Sequence, residues 1–130
     1  MATTSQGAYV KSATAGEDLS SAKFTFIKYS AEDTVVQCDG ATDKPDGVLA
    51  DNYESGKRAE FVVWGPCKVK ADAALSTGDL IGPSADGQAD AKVPGTDTTE
   101  YAAGKAMEDA AAAGDIIEAW VNCINPHRAA

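Results

Sequence analysis

Three glycines in this chain are each followed by a polar residue and then by a run of residues that favour strands. The copies occupy residues 56–64, 78–81 and 114–121. Glycine supplies the positive φ that a tight turn needs, and β-branched and aromatic side chains suit a pleated sheet. The pattern predicts a mainly β fold, a small β-barrel or sandwich of hairpins with at most one or two short helical turns.

The chain also contains an internal repeat. Residues 47–51 followed by Gly56 parallel residues 104–108 followed by Gly114. Aligning the two turn glycines superposes two sets of alternating apolar residues, Ala59, Phe61 and Val63 on Ile117, Ala119 and Val121. Because such alternation is typical of a strand with one buried face, we expect both sets to be buried.

Individual strands and breaks follow from local composition. We expect strands over residues 24–29, 34–38, 47–50 and 115–124, and a hairpin turn over residues 85–88. Gly65-Pro66 is expected to break the strand ladder, because proline has no backbone donor. The alanine-rich residues 108–113 are predicted to form a single helical turn closed by Gly114.

The length of 130 residues fits one domain. We predict a flexible N-terminal arm over residues 1–16, a β-rich domain over residues 17–124 and a C-terminal tail over residues 125–130. Only 7% of the residues are aromatic, and much of the 44% hydrophobic share is alanine. The core should therefore be thin, which favours association with other subunits.

The charge balance limits the possible partners. Eleven basic residues against 20 acidic ones give a net charge of −9, which disfavours a nucleic-acid partner. No stretch approaches the ~18 apolar residues of a membrane span, and the N-terminus lacks a signal-peptide pattern. We expect synthesis in a reducing cytoplasm and no membrane partner.

No residue pattern in the sequence indicates catalysis, a metal site or a cofactor. The three cysteines, Cys38, Cys67 and Cys123, lack disulfide or zinc spacing and are expected to be buried free thiols. The single histidine, His127, lies in the predicted tail, and no phosphate-binding glycine motif occurs. We interpret the chain as a non-enzyme without cofactors.

Five segments together resemble a known family. They are residues 18–28 (DLSSAKFTFIK), 44–49 (KPDGVL), 65–71 (GPCKVKA), 76–81 (STGDLI) and 104–108 (GKAME). In order and spacing, over roughly residues 18–124, they are similar to the capsid decoration (cement) proteins of tailed phages. The longer acidic C-terminal hairpin and the final tail depart from that pattern.

The resemblance implies a structural virion protein on the outer capsid surface, made in the bacterial host cytoplasm. Such a protein stabilises the shell by bridging subunits of the major capsid protein, usually as a homotrimer. On this basis Tyr9, Val10 and Lys11 are candidate capsid-contact residues of the arm, and Trp64 and Trp120 are candidate subunit-interface residues. Because the chain is acidic, we expect its contacts to be apolar and main-chain rather than electrostatic.

Two other functions stay open from the residues alone. A phage tail or adaptor component would also be β-rich and subunit-forming. A carbohydrate-binding β module would need an aromatic platform, and Trp64 and Trp120 do not align in the internal repeat.

Overall fold

The fold of residues 7–130 is known from a computed structural model, and residues 1–6 lie outside the described part of the chain. The described residues form strands and no helices, and the prediction of a mainly β fold is confirmed. The strands are β1 (Tyr9–Ala15), β2 (Phe26–Ala31), β3 (Thr34–Gln37), β4 (Gly47–Leu49), β5 (Arg58–Lys70), β6 (Leu80–Pro83), β7 (Ala89–Ala91), β8 (Tyr101–Ala102), β9 (Gly104–Ala106), β10 (Ile116–Asn122) and β11 (His127–Arg128).

A first barrel is built from the N-terminal half of the chain. The sheet runs in the order β1-β3-β2-β4-β5, and β1 also pairs with β5, which closes the ring. β1 is parallel to β3 and antiparallel to β5. Its interior is a cluster of buried residues that includes Ala13, Ile27, Leu49, Phe61 and Val35.

A second barrel shares β5 and continues through β10, β9, β6 and β7. It is closed by a parallel bridge between Ala71 and Ala89, where the Asp72 N–H donates to the Ala89 carbonyl at 2.8 Å. Its core includes Val69, Ile81 and Val121, together with Phe26, Val48 and Val62 from the outer face of the first barrel.

A β-bulge lets β5 serve both barrels. Val10 pairs with Val62 but Tyr9 pairs with Trp64, so Val63 is an extra residue in β5. An extra residue exchanges the two faces of a strand beyond it. Phe61 therefore lies in the first core, whereas Cys67 lies in the second.

The predicted break at Gly65-Pro66 is wrong, because β5 runs without interruption from Arg58 to Lys70. Gly65 has a φ of 113°, and a Cβ there would lie 2.9 Å from the Cα of Ala8. Pro66 lies beyond the last residue of β5 that pairs with β1. Its missing N–H therefore removes no hydrogen bond to β1.

The helical turn predicted over residues 108–113 is also absent from the structure. Ala110 instead forms an antiparallel bridge with Leu75, with both backbone hydrogen bonds made at 2.9 and 3.0 Å. The Asp115 carboxylate accepts the Ala111 N–H at 2.8 Å. These bonds satisfy the backbone in a bend, and a single isolated helical turn has little stability of its own.

The predicted flexible arm and free tail need correction. Within the described part of the arm, Tyr9–Ala15 is a barrel strand whose Ala13 and Ala15 are 0% and 2% exposed. At the other end, His127–Arg128 pairs with β8 and the Ala129 N–H donates to the Glu100 carbonyl at 2.8 Å. Backbone pairing on both sides orders segments whose composition alone favours mobility.

The predicted strands and the hairpin turn are confirmed within a few residues of their ends. β6 and β7 form a hairpin whose turn contains Gly87 at a φ of 75°. Both alternating sets of the internal repeat are buried. They belong to different cores, however, with Ala59, Phe61 and Val63 in the first barrel and Ile117, Ala119 and Val121 in the second.

Candidate interaction surface

Trp64 and Trp120, which the sequence analysis predicted as subunit-interface residues, are in contact. The ring centroids of Trp64 and Trp120 are 4.9 Å apart, with an interplanar angle of 81°. Trp64 lies opposite Asn122 on the neighbouring strand, which places Trp120 two residues away on the same face. Both rings are partly exposed, at 38% and 40%, so this edge-to-face pair fixes ring orientation at the surface.

The tryptophan pair is part of a longer exposed row. Tyr9 on β1 is the cross-strand partner of Trp64 on β5. Lys105 on β9 is the cross-strand partner of both Trp120 on β10 and Leu80 on β6. Cross-strand partners share one face of a sheet. We call Tyr9, Trp64, Trp120 and Leu80 the aromatic row, after its three aromatic members. The row crosses the strands β1, β5, β10, β9 and β6 and spans about 19 Å.

Of the three residues predicted to contact a capsid through the arm, Tyr9 alone joins this row. Tyr9 is 52% exposed. Val10 is 37% exposed but pairs with Val62, on the opposite face of β1. Lys11 is exposed and pairs with Phe61. All three belong to an ordered strand.

A cleft of about 310 Å³ opens beside Trp120 at one end of the row. Its volume is at the lower end for ligand sites in proteins. The lining residues come from four separate stretches of the chain, around residues 80, 94, 102–105 and 120–130. The polar and aromatic members include Trp120, Asn122, Asn125, Lys105, His127 and Arg128.

The charged side chains of the cleft are basic, although acidic residues predominate in this protein. Lys105 and Arg128 line it, and no acidic side chain does, although the chain has 20 acidic residues and 11 basic ones. Among the ion pairs formed by the described residues, neither of these cations takes part. The Arg128 guanidinium lies 5.6 Å from the centroid of the Tyr101 ring, which holds it at the surface by a cation–π contact.

A largely buried ion pair is linked to the cleft through Ala129, which is one of the lining residues. Lys92, whose side chain is 0% exposed, pairs with the carboxylate of Glu100. Its ammonium also donates to the Pro83 carbonyl at 2.8 Å. The Glu100 carbonyl accepts the Ala129 N–H, so this pair connects the loop before β8 to the C-terminal segment.

Sequence reasoning missed the cluster of Lys, His and Arg side chains in the cleft. Lys105 is separated in sequence from the adjacent pair His127 and Arg128 by the whole of β10 and a turn. Nothing in this spacing indicates that the three side chains line one cleft. The prediction of a free tail removed two of them from consideration. The folding of β11 onto β8 is what brings them together.

The cysteines do not provide a reactive centre. Cys38, Cys67 and Cys123 are buried and unpaired, as predicted. Burial raises the pKa of Cys67 to about 12 and raises the pKa of Cys38 and of Cys123 above the usual range. The thiols therefore stay protonated near neutral pH, and thiols in that form are poor nucleophiles.

The remaining side chains of the described region form no recognisable metal centre. Residues 7–130 contain no group of three or more His, Cys, Asp or Glu side chains arranged to hold a metal ion. His127 is exposed on β11. In the same part of the chain, no helix has the length and apolar character needed to cross a membrane.

Comparison with known proteins gives a likeness in fold. No protein-family model and no curated protein matches the sequence. Among solved structures, the head fiber gp8.5 N base of bacteriophage phi29 superposes with a TM-score of 0.62 over 89% of this chain and 95% of that one. The two sequences are 18% identical, so the likeness establishes a shared fold.

Proposed function

We propose that this protein is a structural component of a tailed-phage virion that binds the outer surface of the assembled head. It stabilises the head by bridging neighbouring subunits of the major capsid protein. The observation that carries the proposal is the fold shared with a phage head fiber base over nearly the full length of both chains. The sequence resemblance to capsid decoration proteins supports the same location.

The exposed surface supports a binding role. The aromatic row places four large apolar side chains, each at least 38% exposed, on one face of the sheet. Aromatic residues are enriched at protein interfaces, where they contribute much of the binding free energy. The sequence analysis assigned Trp64 and Trp120 to an interface between subunits of this chain; in this proposal they contact the major capsid protein instead, and Tyr9 extends that contact towards β1.

We also propose that the protein is not an enzyme. The buried thiols and the exposed His127, which lines the cleft without a cysteine beside it, support this view, because nucleophilic catalysis needs an activated group held by a base. We further propose that the protein is made in the bacterial host cytoplasm, forms a homotrimer on the head, and has no nucleic-acid or membrane partner.

The test uses heads that lack this protein. The coding sequence is deleted from the phage genome, mutant heads are purified, and the purified chain is added back. We expect saturable density on the outer head surface in electron micrographs. We also expect a higher disruption temperature, since a ligand that binds only the intact shell stabilises it by about 2.7 kcal/mol per site at a hundredfold excess over its Kd.

Three outcomes contradict the proposal in different ways. Absence of added density, or density without a change in disruption temperature, rules out a stabilising head protein. Loss of tails from the deletion particles, with unchanged heads, instead supports the tail or adaptor function.

A further inference from the structure

The charged side chains that line the cleft beside Trp120 are Lys105 and Arg128, both basic, in a protein that is strongly acidic overall. Lys105 and Arg128 line it without an acidic side chain, and the aromatic row continues from it across the sheet. We infer that this surface binds an extended, acidic segment of a head-shell protein. The inference rests on the proposed function and specifies the partner of that surface.

The length of the row favours a polypeptide over a small ligand. The cleft alone occupies about 310 Å³, enough for one or two side chains or a sugar ring. The exposed apolar side chains continue beyond it to Trp64 and Tyr9, over about 19 Å in all. An extended chain rises about 3.3 Å per residue, so about six residues cover the row.

The charge favours an acidic segment. Docking any partner here removes water from the Lys105 ammonium and the Arg128 guanidinium, and an uncompensated cation at an interface is costly. A carboxylate on the partner compensates that cost, and Arg pairs with carboxylates through two hydrogen bonds. This charge also opposes binding of a basic segment.

The polar side chains of the cleft suit a peptide backbone. The side-chain carbonyl of Asn122 accepts the Asn125 N–H at 3.2 Å. Its amide N–H groups are donors that a peptide carbonyl accepts. Asn125 and His127 are exposed at the same rim, and they add donors and acceptors of the same kind.

The first experiment measures binding of the full chain to a fluorescent hexapeptide that alternates glutamate with leucine. Matched peptides carry glutamine or lysine in place of glutamate. The test variant is the charge reversal Lys105→Glu with Arg128→Glu. The control variant, Lys44→Glu with Lys57→Glu, reverses two exposed cations outside the cleft.

We expect the glutamate peptide to bind most tightly and the lysine peptide least. The cleft reversal should weaken glutamate-peptide binding about tenfold, a loss of about 1.4 kcal/mol, while the control variant binds like the unmodified chain. Trp120→Ala should weaken the glutamate and glutamine peptides alike. Equal binding of all three peptides, or equal effects of the cleft and control reversals, overturns the inference.

The second experiment adds the same variants to the depleted heads. If the unmodified chain binds heads but the cleft reversal binds equally well at every salt concentration, the inference fails and the proposed function stands. If the unmodified chain does not bind heads, the proposed function fails, and with it the head-shell identity of the partner. Preference for a glucuronate oligosaccharide over the glutamate peptide, or burial of the row in an oligomer of this chain, also overturns the inference.

Discussion

At the scale of single residues, Lys92 is the one charged side chain among the buried residues of the described region. It is fully buried and satisfied by the Glu100 carboxylate and the Pro83 carbonyl. A buried ion pair contributes little relative to apolar packing, but removing one partner leaves an uncompensated charge. Lys92 and Glu100 therefore matter chiefly for keeping the loop before β8 against the C-terminal segment.

The substitution Glu100→Gln tests this contact. We expect it to lower the free energy of unfolding by about 2–3 kcal/mol, because the Lys92 ammonium stays buried while its counter-charge is lost. The effect is smaller than for a fully buried pair because the Glu100 side chain is 24% exposed. Urea denaturation measures the change. Asp33→Asn is the matched control, since it breaks an exposed pair with Arg58 and should hardly move the midpoint. Equal effects of the two substitutions contradict this account.

The three cysteines predict a dependence of stability on alkaline pH. Burial raises the pKa of Cys67 to about 12 and raises the pKa of Cys38 and Cys123 as well, whereas a thiol in the unfolded chain titrates near pH 8.5. Above about pH 8.5 the unfolded chain loses thiol protons that the folded chain retains. The free energy of unfolding should therefore fall as the pH rises from about 8.5.

Urea midpoints between pH 7 and pH 10 measure this alkaline dependence. The variant Cys67→Ala is the control, and its stability should fall less steeply with pH because one titrating thiol is gone. An equally steep fall in both proteins assigns the effect to other groups.

At the scale of elements, sequence reasoning located the strands well and the chain ends poorly. Glycine turns and β-branched runs are local signals, and they identified the positions of β2, β3, β4 and β10. The pairing of β1 with two strands is a long-range property of the closed barrel. A polar, alanine-containing segment carries no local sign of it.

The difference between local signals and long-range pairing also explains which features of the candidate site the sequence predicted and which it did not. Trp64 and Trp120 were found because large aromatic residues on a partly polar strand face are visible in the sequence. Their contact was not predicted, because it depends on the register of β10 against β5, in which Asn122 pairs with Trp64. The cationic rim was missed because it depends on the docked position of β11.

Two truncations test the structural role of β1. Removing residues 1–6 retains all the strands described above, and we expect a cooperatively folded protein. Removing residues 1–15 deletes β1, opens the first barrel between β3 and β5, and takes Ala13 and Ala15 from its core. The longer truncation should lose its cooperative thermal transition by circular dichroism; a transition unchanged from the full chain contradicts the barrel closure.

At the scale of the whole molecule, net charge and local charge lead to different expectations. The excess of acidic residues predicted contacts that are apolar and main-chain in character. The cleft concentrates two cations on the one face that also carries the aromatic row. A binding surface can therefore be electrostatically selective in a protein whose overall charge has the opposite sign.

The sharing of β5 by both barrels predicts that they unfold together. Val62 of the first barrel packs in the core of the second, and β5 supplies partners to β1, β4 and β10. Loss of either barrel exposes a face of the same strand. We expect one two-state transition in urea, with coincident midpoints from tryptophan fluorescence and far-UV circular dichroism.

Labelling of the buried thiols provides a third probe of the same transition. Cys38, Cys67 and Cys123 all belong to the second core, so they should become reactive at the urea concentration at which the circular dichroism signal is lost. Phe61→Ala removes a fully buried ring from the first core alone and should shift all three probes to lower urea together. If the thiols keep their original midpoint in that variant while the circular dichroism splits into two steps, the barrels are independent folding units.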